Sequence, residues 1–576
     1  MLMLLFAMFQ LPIPSGVPLP FTEEAAARGI QYLLNQNWEV VPFGDGVAFA
    51  DLDRDGDPDI VAVGRADDVP AIYENNGLGF FSERTPGLGL LPIEKVTGVV
   101  AADYDRDGDL DIYFSCWGTS NVLWRNNGGF QFTNVTTASG TGDMGQTAGC
   151  AWGDYDGDGW LDLYTSNRDG ANKLYRNKGD GTFEDMAALL GVEQTDQLTF
   201  QASFFDFDQD GDADLYISND RGVGNCPTFH NALFENQNGN FVDITDAQTE
   251  ACTDSMSVAI GDFSGNGFLD LYVTSTGLGN ALLTNQGDGS FLRAENEAGV
   301  ASMAVAWGSY FFDYNNNGHN ELYVANMMHE NRLFAHGGTW PCTDLASALN
   351  LNDSGQSFGV AGADVDGDGD VDLLLTNRGE SLKLLINHEG EQRNYVRFRV
   401  IGQGPDYWAV GARVSLTAGT VSGIAEVVAG SNYKAQNELV LHMGLDGETL
   451  IQNVVVSWPG GLNRTLSNLS ANQTWTLYPQ EKLGDGDQNG IMDPSDVDHF
   501  CHCFTQISPV GLLPGCEMMD SDGDGDVDLH DLETFLISYT GLAGWGENQP
   551  VWDHNNNGVT DLTDLVHHLN RAFCLQ

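Results

Sequence analysis

The sequence predicts a mainly β protein: a seven-bladed β-propeller, then a small β domain, then a small α-helical domain built on acidic loops. Three observations lead there. A D-x-D-x-D-G-x-x-D pattern recurs seven times, as DLDRDGDPD from Asp51, DYDRDGDLD from Asp103, DYDGDGWLD from Asp154, DFDQDGDAD from Asp206, DFSGNGFLD from Asp262, DYNNNGHNE from Asp313 and DVDGDGDVD from Asp364. The first residues lie 52, 51, 52, 56, 51 and 51 positions apart, the signature of a repeated structural unit. Each copy also has the same flanks: an apolar stretch such as GCAWG or FGVAGA before it, LDLYTSN or VDLLLTN after it, then LYRN or LLIN. A Gly-rich turn and an F-x-x-x-T-like segment complete the unit. Four β-type runs separated by turn signals read as four strands, and four-stranded units of this length repeated radially are propeller blades.

The ends of the array predict how the ring closes. The seventh unit runs from LLINHEGEQRN into a different pattern without its fourth strand, whereas FTEEAAARGI from Phe21 supplies one strand too many at the front. The first strand is therefore expected to complete the last blade and remove the free edge. The organisation that follows is 1–20 as signal peptide or N-terminal tail, 21–392 as propeller, 393–479 as a small β module and 480–576 as a helical domain with three loops. The opening MLMLLFAMFQ is too short to span a bilayer and reads as a signal-peptide core. No later segment is long and apolar enough for a membrane helix.

Composition fits a turn-rich globular chain, with 42% hydrophobic residues, 10% aromatics and 70 glycines among 576 residues. Against 24 Lys+Arg stand 82 Asp+Glu, for a formal charge of -58. Such a field repels phosphate backbones and anionic membrane surfaces, which sets nucleic acid aside as a partner. The acid must be neutralised where it clusters, and divalent cations do this. Nine cysteines without a CxxC array suit an oxidising compartment, with Cys226–Cys252 and Cys116–Cys150 as candidate disulfides.

The repeated motif has calcium chemistry. Calcium takes six to eight hard oxygens at about 2.3 to 2.6 Å, and a tight loop offers them from alternate positions when glycine permits the turn. In the first loop these are Asp51, Asp53, Asp55 and Asp59, with Gly56 at the turn and the carbonyl of Asp57 as a further ligand. The matching sets are Asp103, Asp105, Asp107, Asp111; Asp154, Asp156, Asp158, Asp162; Asp206, Asp208, Asp210, Asp214; and Asp364, Asp366, Asp368, Asp372. Loops five and six are diluted to two carboxylates each, in Asp262, Ser264, Asn266, Asp270 and in Asp313, Asn315, Asn317, Glu321. They are expected to hold calcium more weakly, because ligand charge tunes affinity. Converging carboxylates within about 4 to 5 Å repel by roughly 1 to 4 kcal/mol per pair, so loops without a cation should splay.

The seven units resemble the FG-GAP/VCBS repeats of integrin-like propellers, where this loop holds calcium between two strands of a blade. The Phe-Gly element of that family is visible at Phe358-Gly359, with Trp152-Gly153 and Trp307-Gly308 similar to it. Residues 393–479 resemble an ASPIC/UnbV module through Val410 to Val414 (VGARV), His442-Met-Gly-Leu and Trp458-Pro459-Gly460. A propeller followed by this module is the arrangement of the cartilage acidic protein family, which implies an extracellular role and supplies no catalytic residues.

The last hundred residues carry three longer loops with ligands at positions 1, 3, 5, 9 and 12 and Gly at 6. Their sets are Asp485, Asp487, Asn489, Asp493, Asp496; Asp520, Asp522, Asp524, Asp528, Asp531; and Asp553, Asn555, Asn557, Asp561, Asp564. Apolar-periodic helices follow each one: VDHFCHCF, LETFLISY and LVHHLNRAF. This resembles a dockerin-type, EF-hand-like domain and implies a cohesin-like partner, although a typical dockerin has two loops. Up to ten calcium loops are thus expected.

No HExxH, GxSxG, P-loop or GxGxxG in a strand-to-helix context stands out, and nearly all the clustered acids are accounted for as calcium ligands, so no catalytic residues are assigned. Trp124, Tyr175 and Phe234 recur at one blade position and are expected in the core. The leading expectation is a secreted or cell-surface calcium-binding recognition or adhesion protein, its propeller presenting loops to an extracellular protein or glycan and its tail tethering it. The alternative is a carbohydrate-active enzyme or lectin delivered to a polysaccharide-degrading assembly by the tail.

Overall fold

A computed structural model describes residues 19–37, 43–88, 92–220, 230–402 and 408–479. The predicted third domain, with its loops at Asp485, Asp520 and Asp553, lies outside these residues, as does most of the opening apolar segment. Among the described residues the protein is almost entirely β, with helix limited to single turns such as Thr136–Ser139 and Ala187–Leu190.

Residues up to Asn387 form seven four-stranded antiparallel sheets that resemble propeller blades, one per predicted unit. The inner strands are Val47–Ala50, Val96–Ala102, Thr147–Gly153, Leu198–Phe205, Ser255–Gly261, Val305–Phe312 and Ser357–Ala363. Each packs against the inner strand of the next sheet, and the seventh packs against the first. Burial falls outward: the first two strands of a blade are almost wholly buried, while outer strands such as Phe81–Glu83 bury only their leading aromatic. The acidic loop joins the first strand of each blade to the second.

The seventh sheet closes as expected. Its strands are Ser357–Ala363, Asp372–Asn377, Lys383–Asn387 and Phe21–Glu23, with Phe21 opposite Asn387 and Glu23 opposite Leu385. Phe21 is fully buried against the sixth and seventh sheets. Trp124, Tyr175 and Phe234 are buried in the core.

A second device joins neighbours. The third strand of six blades ends in a buried asparagine whose Nδ2 donates across to the blade before it. Asn126 reaches the Leu52 carbonyl at 2.8 Å, Asn177 that of Tyr104, Asn236 that of Tyr155, Asn285 that of Phe207 and Asn387 that of Tyr314. Asn75 carries the series across the closure to Val365 at 2.8 Å. In the sixth blade His336 stands at this place, its ring edge-on to Phe263.

Residues 394–478 form the predicted small β module. Asn394–Val400 lies between Leu441–Asp446, antiparallel, and Thr474–Leu477, parallel. A second sheet orders Val421–Glu426, Arg413–Ala418, Asn453–Ser457 and Asn463–Leu466. Val396, Phe398, Val414, Val454, Val456 and Trp458 fill the space between them.

The module sends residues 428–438 into the centre of the ring. Gln436 joins the first inner strand through Val47 and Phe49, and its amide exchanges two 3.0 Å hydrogen bonds with the backbone of Ala101 in the second. Ala429 bonds Trp152 in the third blade, Gly430 accepts from Ser203 in the fourth, and Asn432 reaches Val258 in the fifth and Val360 in the seventh. Tyr433 packs on Trp307 of the sixth, ring centroids 5.1 Å apart. This segment touches every blade.

The Phe-Gly positions are the ones that meet it. Five residues before the acidic loops stand Gly46, Gly98, Gly149, Gln201, Ser257, Gly308 and Gly359, and from the residue before that Ala148, Phe200, Met256, Trp307 and Phe358 cluster with Tyr433. A side-chain carbon on Gly46 would sit 1.8 Å from the Lys434 carbonyl, and one on Gly308 would sit 2.4 Å from that of Phe358. Trp152-Gly153 is not the equivalent pair. It lies one residue before its loop, Ala148-Gly149 takes the inner place, and Trp152 packs instead against Tyr104, Tyr113 and Phe183.

The cysteine expectation is corrected in one case. Cys116 and Cys150 are free thiols, each buried within a regular strand, where a reduced cysteine packs as a small apolar group. Cys252 is disulfide-bonded, and its expected partner Cys226 lies outside the described residues.

Candidate metal centres

Each acidic loop is shaped by its own side chains before any ion is considered. The first-position aspartate accepts from the backbone N–H of the turn glycine, as Asp51 does from Gly56 at 3.2 Å, Asp103 from Gly108 at 2.9 Å and Asp154 from Gly159 at 2.8 Å. The third-position carboxylate accepts from the fifth-position N–H, as in Asp53 with Asp55 and Asp156 with Asp158. These bonds curl alternate carboxylates to one side of the loop.

The ninth position does a further task that the motif does not disclose. Asp59 accepts from Leu52 N–H at 3.0 Å and from Asn75 N–H at 2.9 Å, tying the loop to the third strand of its blade. Asp111, Asp162, Asp214, Asp270 and Asp372 repeat both bonds. Glu321 makes the equivalent of the first, to Tyr314.

Among the described residues, carboxylates converge in five loops. Asp51, Asp53 and Asp55 bring one oxygen each within 4.8 Å of one another, as do Asp103, Asp105 and Asp107, and Asp206, Asp208 and Asp210. In loops three and seven the group is Asp154, Asp156 and Asp162, and Asp364, Asp366 and Asp372. These are the five loops with four carboxylates in sequence. Asp158, Asp368 and the ninth positions of loops one, two and four stand outside the groups. The diluted loops at Asp262 and Asp313 place Ser264, Asn266 and Asp270, and Asn315, Asn317 and Glu321, in the same frame.

Crowding and burial raise the cost of ionising these groups. Burial, opposed by Arg399 and reinforced by Asp55, pushes Asp51 up to about 6, while burial together with Asp55 and Asp51 takes Asp53 to about 7. In the seventh loop burial and the charges of Asp366 and Asp364 raise Asp368 to about 7, and Asp372 is held well above the usual carboxylate range. Burial lifts Asp313 to about 7 in the sixth.

The donor set fits a hard divalent cation. It is all oxygen, and several of its oxygens are buried without a hydrogen-bond partner: Oδ1 of Asp51, Asp154, Asp366 and Asn315. A buried carboxylate oxygen without a donor is costly unless a positive charge meets it. Calcium, with its flexible shell of six to eight oxygens, matches this set.

Comparison with known proteins agrees with two of the three sequence resemblances, those of the repeats and of the small β module. A family described as FG-GAP-like repeat matches residues 51–114, 115–165, 154–217, 206–273 and 313–375, and one described as ASPIC and UnbV matches residues 402–484. Cartilage acidic protein 1 of Xenopus tropicalis is 25% identical over 353 residues, covering 58% of this chain and 45% of that protein. The protein of that name from Mus musculus is 26% identical over 507 residues, covering 76% of this chain and 74% of its own. The chain spans less than half the length of the first of these. Among solved structures, the WD40 β-propeller domain of Doa1 has a TM-score of 0.38 at 9% identity, over 63% of this chain and 99% of that one. The chain carries FG-GAP-like repeats followed by an ASPIC and UnbV domain, and it is a distant relative of cartilage acidic protein 1.

Proposed function

We propose that this chain is a secreted or cell-surface recognition protein of the adhesion type, whose seven sheets form a seven-bladed propeller held rigid by calcium in its acidic loops. The observation that carries the calcium reading is the convergence of carboxylate oxygens within the acidic loops. In each of the five loops with four carboxylates, three carboxylate oxygens lie within 4.8 Å of one another, and in loops one, three and seven Oδ1 of Asp51, Asp154 and Asp366 is buried without a hydrogen-bond partner. Loops five and six are weaker sites. The ion's role here is structural: it neutralises the loops and fixes the first two strands of each blade, leaving the blade edges to contact an extracellular protein or glycan. The tail at 480–576, with its dockerin-like loops, is the tether to a cohesin-like partner. The relatedness to cartilage acidic protein 1 supports the extracellular setting.

Ion counting by native mass spectrometry, with a calcium titration by calorimetry, tests the reading on residues 1–479. Five tight ions and two weaker ones are expected, with a melting temperature that rises with free calcium. No bound ion at millimolar calcium would overturn it. Incubation with acidic and neutral polysaccharides separates recognition from catalysis: release of reducing ends at enzymatic rates favours the alternative of a carbohydrate-active enzyme.

A further inference from the structure

Three arginines of the ASPIC and UnbV module end on the acidic loops of the ring. Arg399 Nη2 lies 3.6 Å from Asp51 Oδ2 and donates to the Gly56 carbonyl at 3.3 Å in loop one. Arg413 Nη1 lies 2.5 Å from Asp206 Oδ2 in loop four. Arg397 bridges Asp364 Oδ2 of loop seven at 3.2 Å and the module's own Glu438 at 2.7 Å. Carboxylates of the module answer from the other side. Glu426 accepts from the Asp206 N–H at 3.2 Å and Glu438 from that of Asp364 at 3.0 Å. All of these arginines and first-position aspartates are buried or nearly so.

The first-position aspartate is thus divided between two roles in these loops. In all three its Oδ2 meets the module arginine and the turn N–H; Asp51 Oδ1 has no hydrogen-bond partner, whereas Asp206 Oδ1 accepts from Asp210 N–H at 3.1 Å and Asp364 Oδ1 from Gly367 N–H at 2.8 Å. In loop one the arginine and an ion would therefore take different oxygens of one carboxylate, a bridging arrangement, and in loops four and seven the ion would share its oxygen with a backbone N–H. Asp154 in loop three has no arginine of the module paired with it among the described residues, so the fold contains its own control.

We infer that calcium in loops one, four and seven and the seating of residues 428–438 in the centre of the ring are thermodynamically coupled, each favouring the other. Without an ion, carboxylates held within 4.8 Å repel and the loop opens. The first-position aspartate then swings away from its arginine, and the backbone N–H that Glu426 or Glu438 accepts moves with it. The module loses its grip at three points around the ring, and the central segment, anchored to the same module strands, loosens. By reciprocity, arginines that hold the first-position carboxylate in place preorganise the loop for the ion. Calcium then serves as the latch between two domains as well as a brace within each blade.

This inference rests on the calcium reading, and the test keeps the two apart. Hydrogen exchange of residues 428–438 in the full chain is measured with saturating calcium, at half-saturating calcium and in chelator, after ion counting. Chelation is expected to raise exchange of this segment at least tenfold. At half-saturating calcium the Asp53→Asn, Asp208→Asn double variant, which spares every residue touching the module, should exchange there at least threefold faster than the parent, and Asp156→Asn in loop three should match the parent. Arg399→Gln with Arg413→Gln should weaken the binding of two ions at least threefold. If ions bind but the segment exchanges equally with and without them, or if Asp156→Asn loosens it as much as the double variant does, the coupling is overturned while the calcium reading stands. If no ion binds, both fall.

Discussion

The asparagine that closes the third strand shows how much one side chain does here. Asn126 is fully buried, its N–H bonds Asp111, and its amide bridges Leu52 of one blade and Leu110 of its own. Asn126→Ala leaves two buried carbonyls unmet and should cost about 1 to 3 kcal/mol, read from denaturant melts, while Asn127→Ala beside it on the exposed side should change stability by less than about 0.5 kcal/mol. Lys434 is the other singular residue. Enclosed in the ring, it donates to the Gly44 carbonyl at 3.2 Å, and burial, opposed by Asp45, lowers its pKa to about 7. The unfolded lysine titrates near 10.4, so between about pH 7 and pH 10 the unfolded chain holds a proton that the folded one lacks. Stability from this group therefore rises with pH across that window, by up to about 1.4 kcal/mol per pH unit, and is flat below it. Thermal melts from pH 6 to 10 should show the parent gaining on Lys434→Met only above pH 7.

At the scale of the element, the strands and loops were legible because their signals are local and repeated. Period, flanks and turn glycines gave seven units and the swapped first strand, and four carboxylates per loop separated five clusters from two diluted copies. What the motif could not disclose is what each residue meets across a gap in sequence. The ninth-position aspartate reads as a ligand, yet its bonds to two backbone N–H groups are visible only once the third strand is folded beside it. The final asparagine of LYRN looks like a turn residue until the preceding blade is in place. Trp152-Gly153 resembled the inner pair by composition, and counting five residues back from the loop would have found Ala148-Gly149. The central segment has no periodicity to notice, because its contacts are with seven different strands. Gly46→Ala tests that it is tightly fitted. A methyl group 1.8 Å from the Lys434 carbonyl must displace backbone, so a loss of about 1 to 3 kcal/mol or more is expected, with a red shift of tryptophan emission as Trp307 is uncovered.

At the scale of the molecule, two closures at distant points of the chain make one object of it. Phe21–Glu23 finishes the seventh sheet, and the module fills the centre. Deleting residues 1–24 should expose Lys383–Asn387 as a free edge and produce concentration-dependent association in sedimentation, since an unpaired strand is a template for another. The first closure also sets a timetable. Thr22 and His388, joined at 3.0 Å, are 366 residues apart, so during synthesis the opening strand emerges long before the edge it must cover exists. For that interval it has no native partner, and the growing chain exposes one unfinished blade after another. Assembly of the ring is therefore a late event on the ribosome, and a premature stop anywhere before the seventh blade leaves not a smaller ring but an open arc, the kind of product that quality control is built to remove.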